Sequence, residues 1–367
     1  MLKASQGTPA ARQLQPPNAF DFIRVMAALA VLYSHSFVLY GLPEPLLAPG
    51  KTLGSVAVAV FFSLSGFLIC QSWQRDPSLR RFALRRALRI FPGLLVVVLL
   101  TVLLLGPLVA SIAPAQYFSD PSPWLHLVKS AFAMGSPRIK GVFEGNPFPH
   151  AVNGSLWTLR YEILMYMVLA GAGRAMGRLP LRQVCLALFA GFALLWCVLV
   201  FYVQSRVMVP GVWRLGTEFH VDRIAYLGAF FFGGALANVY FERIKLSWFA
   251  AAALLLAVAL VDKQLVMPLL WLAVPYCVLV LAFRAPPVLR MVHGYDYSYG
   301  IYIYAYPVQQ ALSELGVRFG WSWIVVLLAS TALTVTLAAL SWHLVEKPAL
   351  SLKKHIGRFG RRPVLAA

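Results

Sequence analysis

The chain of 367 residues is 60% hydrophobic and only 12% charged, about half the charged share of a soluble domain. So much apolar surface exceeds what one globule of this size can hide, which excludes a soluble enzyme and makes lipid the medium. The net charge of +19 does not point to a nucleic-acid partner, because the cations lie in short links between apolar runs, as a positive-inside bias places them.

In chain order, a polar tail (1–19) precedes apolar runs at 20–40, 53–73, 90–112, 156–173, 183–203, 223–240, 248–262, 265–283, 297–316 and 321–345. Each is close to the roughly 20 residues that a span needs. The expected fold is an all-α integral membrane protein, a bundle of about ten transmembrane helices. No small-residue cleavage site follows the first run, which reads as an uncleaved anchor. An even number of spans puts both termini on one side. Links and tails on that side together hold more than twice the lysines and arginines of the other links, with six arginines in 74–89 alone. Both termini are therefore expected to be cytoplasmic. The chain divides into a cytoplasmic tail (1–19), a transmembrane domain (20–345) and a basic cytoplasmic tail (346–367). The link 113–155, rich in proline and aromatic residues, is long enough to be functional or re-entrant. The stretch 248–283 reads as two spans or as one broken hairpin. The four cysteines lie in apolar runs without metal-like spacing and read as small buried hydrophobes, so no metal is expected.

Ionisable groups inside spans are costly and mark functional sites. The first span carries Asp21, Arg24 and His35. Arg24 and His35 share one helix face, about 16 Å apart along the axis. A snorkelling arginine and a histidine bonded to a neighbouring helix would also account for them. Glu162 lies roughly two turns into the fourth span, and its expected depth matches that of His35 within a turn. A carboxylate beside an imidazole raises its basicity and fixes its tautomer, which suits a general base acting on a hydroxyl. A purely structural His–Glu pair, or Glu162 satisfied by Arg160, is the alternative. On the cytoplasmic side, RDPSLRRFALRRALRIFP places Arg81, Arg85, Arg86 and Arg89 at helical spacing. Guanidinium groups bind phosphate oxygens in bidentate fashion. Topology alone explains the run as a whole, whereas Arg86 and Arg89 stand at the membrane entrance.

These residues occur within motifs in a fixed order: the Arg24-to-His35 spacing, FFSLSGFLI at 61–69, RRALRIFP at 85–92, SLWTLRYE at 155–162, YSYGIYIYAYP at 297–307 and HLVEKP at 343–348. In this the chain resembles the acyltransferase family 3 membrane proteins, which include bacterial O-acetyltransferases of polysaccharides, lipopolysaccharides and Nod factors. The resemblance spans residues 20 to about 350. It implies a multi-pass protein of the inner (plasma) membrane and an acyl-CoA co-substrate, expected to be acetyl-CoA, entering from the cytoplasm. Its partners would be that donor, a glycan or lipid-linked saccharide acceptor, and the bilayer. By resemblance His35 is catalytic, Glu162 matches the glutamate after the tryptophan motif, Arg24 lines the site, and Arg86 and Arg89 approach the CoA phosphates. Ser65 and Gly66 match the SGF motif, where small residues permit close approach. Asp21, Asn153, Ser155, Trp157 and Tyr302 are expected to line the site. Many members have a histidine where this chain has Ala305, so no second catalytic histidine is expected there. Glu346 and Lys347 are expected to form an ion pair at a helix end. The function implied is acyl transfer to a glycan hydroxyl, with His35 as general base oriented by Glu162. A transporter or flippase of a lipid-linked saccharide is the rival, but the sequence has no inverted repeat.

Overall fold

The computed structural model describes residues 18–177, 179–204, 214–215, 219–290, 294 and 296–353. Most of the two expected cytoplasmic tails therefore lies outside the described residues. Nearly everything described is helix. The order is α1 (Phe20–Leu39), a small hairpin of β1 (Leu46–Ala48) and β2 (Lys51–Thr52), α2 (Leu53–Arg75), and α3 (Leu79–Leu100), which runs through a wide π turn (Thr101–Leu105) into Gly106–Val109. Short helices α4 (Pro114–Ser119) and α5 (Pro121–Ala131) follow, then α6 (Trp157–Ala175), α7 (Leu181–Gln204), α8 (Val221–Val239), α9 (Trp248–Leu260), α10 (Val266–Arg284) and α11 (Ser298–Phe319). The last is α12 (Trp323–Ser341), extended by a second π turn (Trp342–Glu346) and Lys347–Ser351.

Among the described residues, six helices are long and apolar enough to cross a bilayer: α1, α2, α3, α7, α10 and α12 with its extension. Helices also occupy the four other expected spans. Of these, α9 has only 13 residues, and α6, α8 and α11 carry polar or charged side chains that lower their hydropathy. The chain is thus a multi-pass, all-helical membrane protein. The stretch 248–283 forms two helices, of which only α10 is long enough to cross a bilayer. The third helix begins at Leu79, so five of the six arginines expected in a link lie on the helix itself, and the sixth, Arg75, ends α2.

Small residues set the tightest packing. A Cβ on Gly66 of α2 would overlap the backbone carbonyl of Phe231 on α8, and one on Gly234 of α8 would overlap that of Ser63 on α2. The two helices therefore touch along their backbones, which only glycine at these points allows. On the other side α1 is tied to α11 by Gln309 Nε2 donating to the Leu32 carbonyl at 2.8 Å, and to α12 by Trp323 Nε1 donating to Ser36 at 3.1 Å.

The 113–155 segment is an ordered cap. A π turn frees helix carbonyls from their usual partners, and the buried Tyr117 hydroxyl donates to the one on Val102 at 2.9 Å. Asn146 is buried and donates to Gln310 of α11 at 2.7 Å, while Gln310 reaches back to the carbonyls of Phe148 and Ala151. These bonds clamp the cap onto α11 at the end of the molecule opposite the arginine-rich turns.

Candidate active site

The arginine-rich end holds a network built on two carboxylates. Asp296, just before α11, accepts from Arg24 at 3.0 Å and from Arg89 at 2.6 Å. It is also bonded by Ser298. Burial works against its charge, but the two arginines hold its carboxyl below the usual range. Glu346 is only 2% exposed and takes the other arm of Arg89 at 3.1 Å, with Ser341 on its second oxygen at 3.0 Å. The expected Glu346–Lys347 pair is therefore corrected. Glu346 falls within the π turn and faces Arg89 across the bundle. Asp21 ties back to Arg24 at 3.5 Å and accepts from the Gly294 amide at 3.0 Å.

Arg86 differs from its neighbours. Among the described residues it makes no ion pair, and its Nε is buried without a hydrogen-bond partner. It lines a cavity of about 280 Å³ together with Arg24, Arg89, Asp296 and Lys353. Burial and then the nearby arginines push the Lys353 ammonium down to about 8. Arg81 and Arg85 lie outside this cavity, both paired with Asp76 at 2.5 and 2.6 Å.

Deeper in the same cavity stands Glu162. Ser65 of α2 donates to it at 2.8 Å, and the Tyr166 hydroxyl, one turn along α6, donates to the same oxygen. Arg160 reaches the carbonyls of Trp157 and Met134. Beyond Glu162 the Tyr302 hydroxyl bonds Thr158 at 2.7 Å. Tyr302 and Val58 line this cavity and also a second one of about 450 Å³, which lies beside the β1–β2 hairpin.

His35 lines the second cavity, not the first. Its ring meets Tyr306 edge-on at 5.2 Å, and its buried Nδ1 has no partner among the described residues. The expected hydrogen-bonded His35–Glu162 pair is absent, because Ser65 and Tyr166 hold the carboxylate in the other chamber. Around the histidine stand Glu44, Lys51, Trp157, Trp196, Arg223 and Tyr226.

Of the residues expected from sequence, Arg24, Ser65, Arg86, Arg89, Glu162 and Tyr302 converge on the first cavity, and His35, Trp157 and Tyr302 on the second. Three others have structural bonds. Gly66 serves helix packing, Asn153 donates to the Ile303 carbonyl at 2.9 Å and caps the turn before α6, and Asp21 supports Arg24. Ser155 is buried next to Asn153 in the same turn, and among the described residues its hydroxyl has no partner. Sequence reasoning did not single out Asp296, Tyr166, Lys353, Lys51 or Arg223. Asp296 had a visible signal, as an acid directly before a tyrosine-rich span.

Comparison with known proteins agrees with this architecture. The acyltransferase 3 family, described as an acyltransferase domain, matches residues 18–343. An O-acetyl transferase of Shigella phage Sf6 is 32% identical over 342 residues, covering 90% of this chain and 95% of that protein. Nodulation protein 10 of Rhizobium leguminosarum bv. viciae is 28% identical over 369 residues, covering 92% and 94%. No solved structure matches. With its helical bundle, its arginine cavity and this match across nearly the whole chain, the protein belongs to the acyltransferase 3 family.

Proposed function

We propose that the protein is a membrane-embedded O-acyltransferase that moves an acyl group, expected to be acetyl, from cytoplasmic acyl-CoA to a hydroxyl of a glycan or lipid-linked saccharide on the far side of the inner membrane. One observation carries this reading. A cationic cavity and a histidine-bearing cavity, facing opposite ends of the bundle, share Val58 and Tyr302 as a common wall.

In this reading the arginine-rich end faces the cytoplasm, in keeping with its charge. Arg86 and Lys353 take the CoA phosphates, while Arg24 and Arg89, held by Asp296 and Glu346, shape the mouth. The pantetheine arm runs past Glu162 to the Tyr302–Thr158 pair, which brings the thioester carbonyl to the wall between the chambers. From the other side the acceptor hydroxyl meets His35. The imidazole takes its proton, the oxygen attacks the carbonyl carbon, a C–O bond forms and the C–S bond breaks. The CoA thiolate leaves toward the cytoplasm and takes up a proton there, and the His35 imidazolium gives the acceptor's proton up to solvent on its own side. Glu162, fixed by Ser65 and Tyr166, lines the path of the arm and does not orient the histidine. Ser155, whose buried hydroxyl has no partner among the described residues, is the candidate among Ser65, Asn153 and Ser155 to donate to the developing oxyanion, since the other two are already bonded.

The test is His35→Ala in the full-length protein reconstituted in lipid, with acetyl-CoA binding and acetyl transfer to glycan measured side by side. Transfer is expected to disappear while binding remains. Wild-type transfer by this variant would end the proposal, and failure of the wild-type protein to bind acetyl-CoA would favour a transporter.

A further inference from the structure

The second chamber contains two cations that the donor chemistry does not use. Lys51, the first residue of β2, lies over the Tyr226 ring at 5.5 Å. Arg223, in the first turn of α8, lies over the Trp157 ring at 4.6 Å. Both are half-buried, and among the described residues neither has a carboxylate within ion-pair distance. Two acids share the chamber. Glu44 is occupied by the Ser34 hydroxyl, which in turn accepts from the Gly54 amide at 3.0 Å. Asp222 is exposed and makes no ion pair among the described residues. Burial lowers the pKa of Lys51, so its charge is held at a cost in desolvation that a bound anion would offset. Topology does not account for these cations either, because they stand at the end where the charge bias disfavours them.

The walls suit a saccharide. Trp157, Trp196 and Tyr226 give flat apolar faces for a sugar ring, and about 450 Å³ lies within the usual range of small-ligand pockets. Asp222 is placed to accept from sugar hydroxyls. A neutral sugar would leave both cations unpaired in a partly dry chamber, whereas an anionic one would pair them by charge-assisted hydrogen bonds.

We propose that this chamber selects a negatively charged saccharide acceptor, whose anionic group sits between Lys51 and Arg223 while its accepting hydroxyl faces His35. This inference rests on the acyl-transfer reading given above. Two sources could supply the charge, a sugar carboxylate or a phosphate, the latter in the glycan or in its lipid linkage.

The experiment uses the full-length protein in lipid nanodiscs, radiolabelled acetyl-CoA, and the glycan pool extracted from cells lacking this protein. The pool is offered untreated, after carboxyl reduction with carbodiimide and borohydride, and after phosphate removal with hydrofluoric acid. Wild-type kcat/KM is expected to fall about tenfold on one of the treated pools, the scale of a lost charge-assisted bond, and the pool affected names the anion. A Lys51→Gln, Arg223→Gln double variant is expected to lose a similar factor on the untreated pool, to show no further loss on the treated ones, and to bind acetyl-CoA as wild type does. Lys51→Arg, which keeps the charge, is expected to keep the preference. Equal wild-type rates on all three pools would overturn the proposal whether or not the variants fold, and so would a double variant that retains the preference. Acyl transfer that persists in His35→Ala, or no transfer to any pool, would instead overturn the parent reading.

Discussion

Arg86 and Arg89 are one turn apart and look alike in sequence, yet their surroundings give them opposite expected behaviour. Arg89 neutralises Asp296 and Glu346, and removing one partner of a buried pair costs about 3–5 kcal/mol because the other charge is left uncompensated. Arg89→Gln is expected to lower the melting temperature in detergent markedly, with donor binding lost as a consequence. Among the described residues Arg86 has no carboxylate to abandon. Arg86→Gln is expected to leave the melting temperature near wild type while weakening acetyl-CoA binding, so the two variants separate stability from recognition. Equal effects on melting would refute the distinction. Lys353 adds a pH signature. Burial and the neighbouring arginines bring its pKa down to about 8, so it is charged below that pH and neutral above it. Donor affinity is expected to fall about three- to tenfold between pH 7 and 9, the weight of one partly screened charge. Lys353→Arg should flatten that dependence, and Lys353→Met should bind weakly at both pH values. Titration of acetyl-CoA against each protein at the two pH values measures this.

At the scale of elements, the contact between α2 and α8 gives the sharpest expectation. Gly66→Val places side-chain carbon where the Phe231 carbonyl lies, so the helices must part, at a cost of about 1–3 kcal/mol or more. Ser65→Ala, one residue away, removes only one hydrogen bond to Glu162, worth about 1 kcal/mol. Thermal unfolding of the pair should show the glycine variant as the less stable, and the reverse order would mean that the SGF segment acts through its serine. These elements also show what the sequence could reveal. Apolar runs located the long helices because burial in lipid demands continuous hydrophobicity. The match of Glu162 to His35 in depth came from helical rise alone, and rise says nothing of which neighbour a helix faces. Glu162 turned out to face Ser65 and Tyr166 because α6 presents it to the α2 side of the first chamber. Likewise, a heptad or turn count cannot anticipate a π turn, so Glu346 was expected at a helix end when it closes a network with Arg89. The sequence reads 113–155 only as a functional or re-entrant link, because its order comes from long-range bonds such as Asn146 to Gln310, which leave no local pattern.

Across the whole molecule, the design places charge recognition and the imidazole in separate chambers and lets them communicate at one point. If acyl transfer runs as proposed, this separation has a physical rationale, since a donor rich in phosphates and an acceptor on the other side of the bilayer cannot share a single solvent-filled site without opening a leak. The wall would then pass a thin acyl arm and exclude the rest. Val58 is buried and lines both cavities, as does Tyr302. Val58→Phe would fill that neck without touching either the arginines or His35. Acetyl-CoA affinity is expected to change by less than about threefold, while transfer falls by about a hundredfold, the order of loss caused by holding reactants about 1 Å out of place. Val58→Ala, which only widens the neck, is expected to keep most of the transfer. Parallel measurement of donor binding and glycan acylation separates this from a packing defect, because a destabilised bundle would lose both together. If Val58→Phe acylates at the wild-type rate, the acyl group does not pass between the chambers at this point, and the shared wall is not the site of transfer.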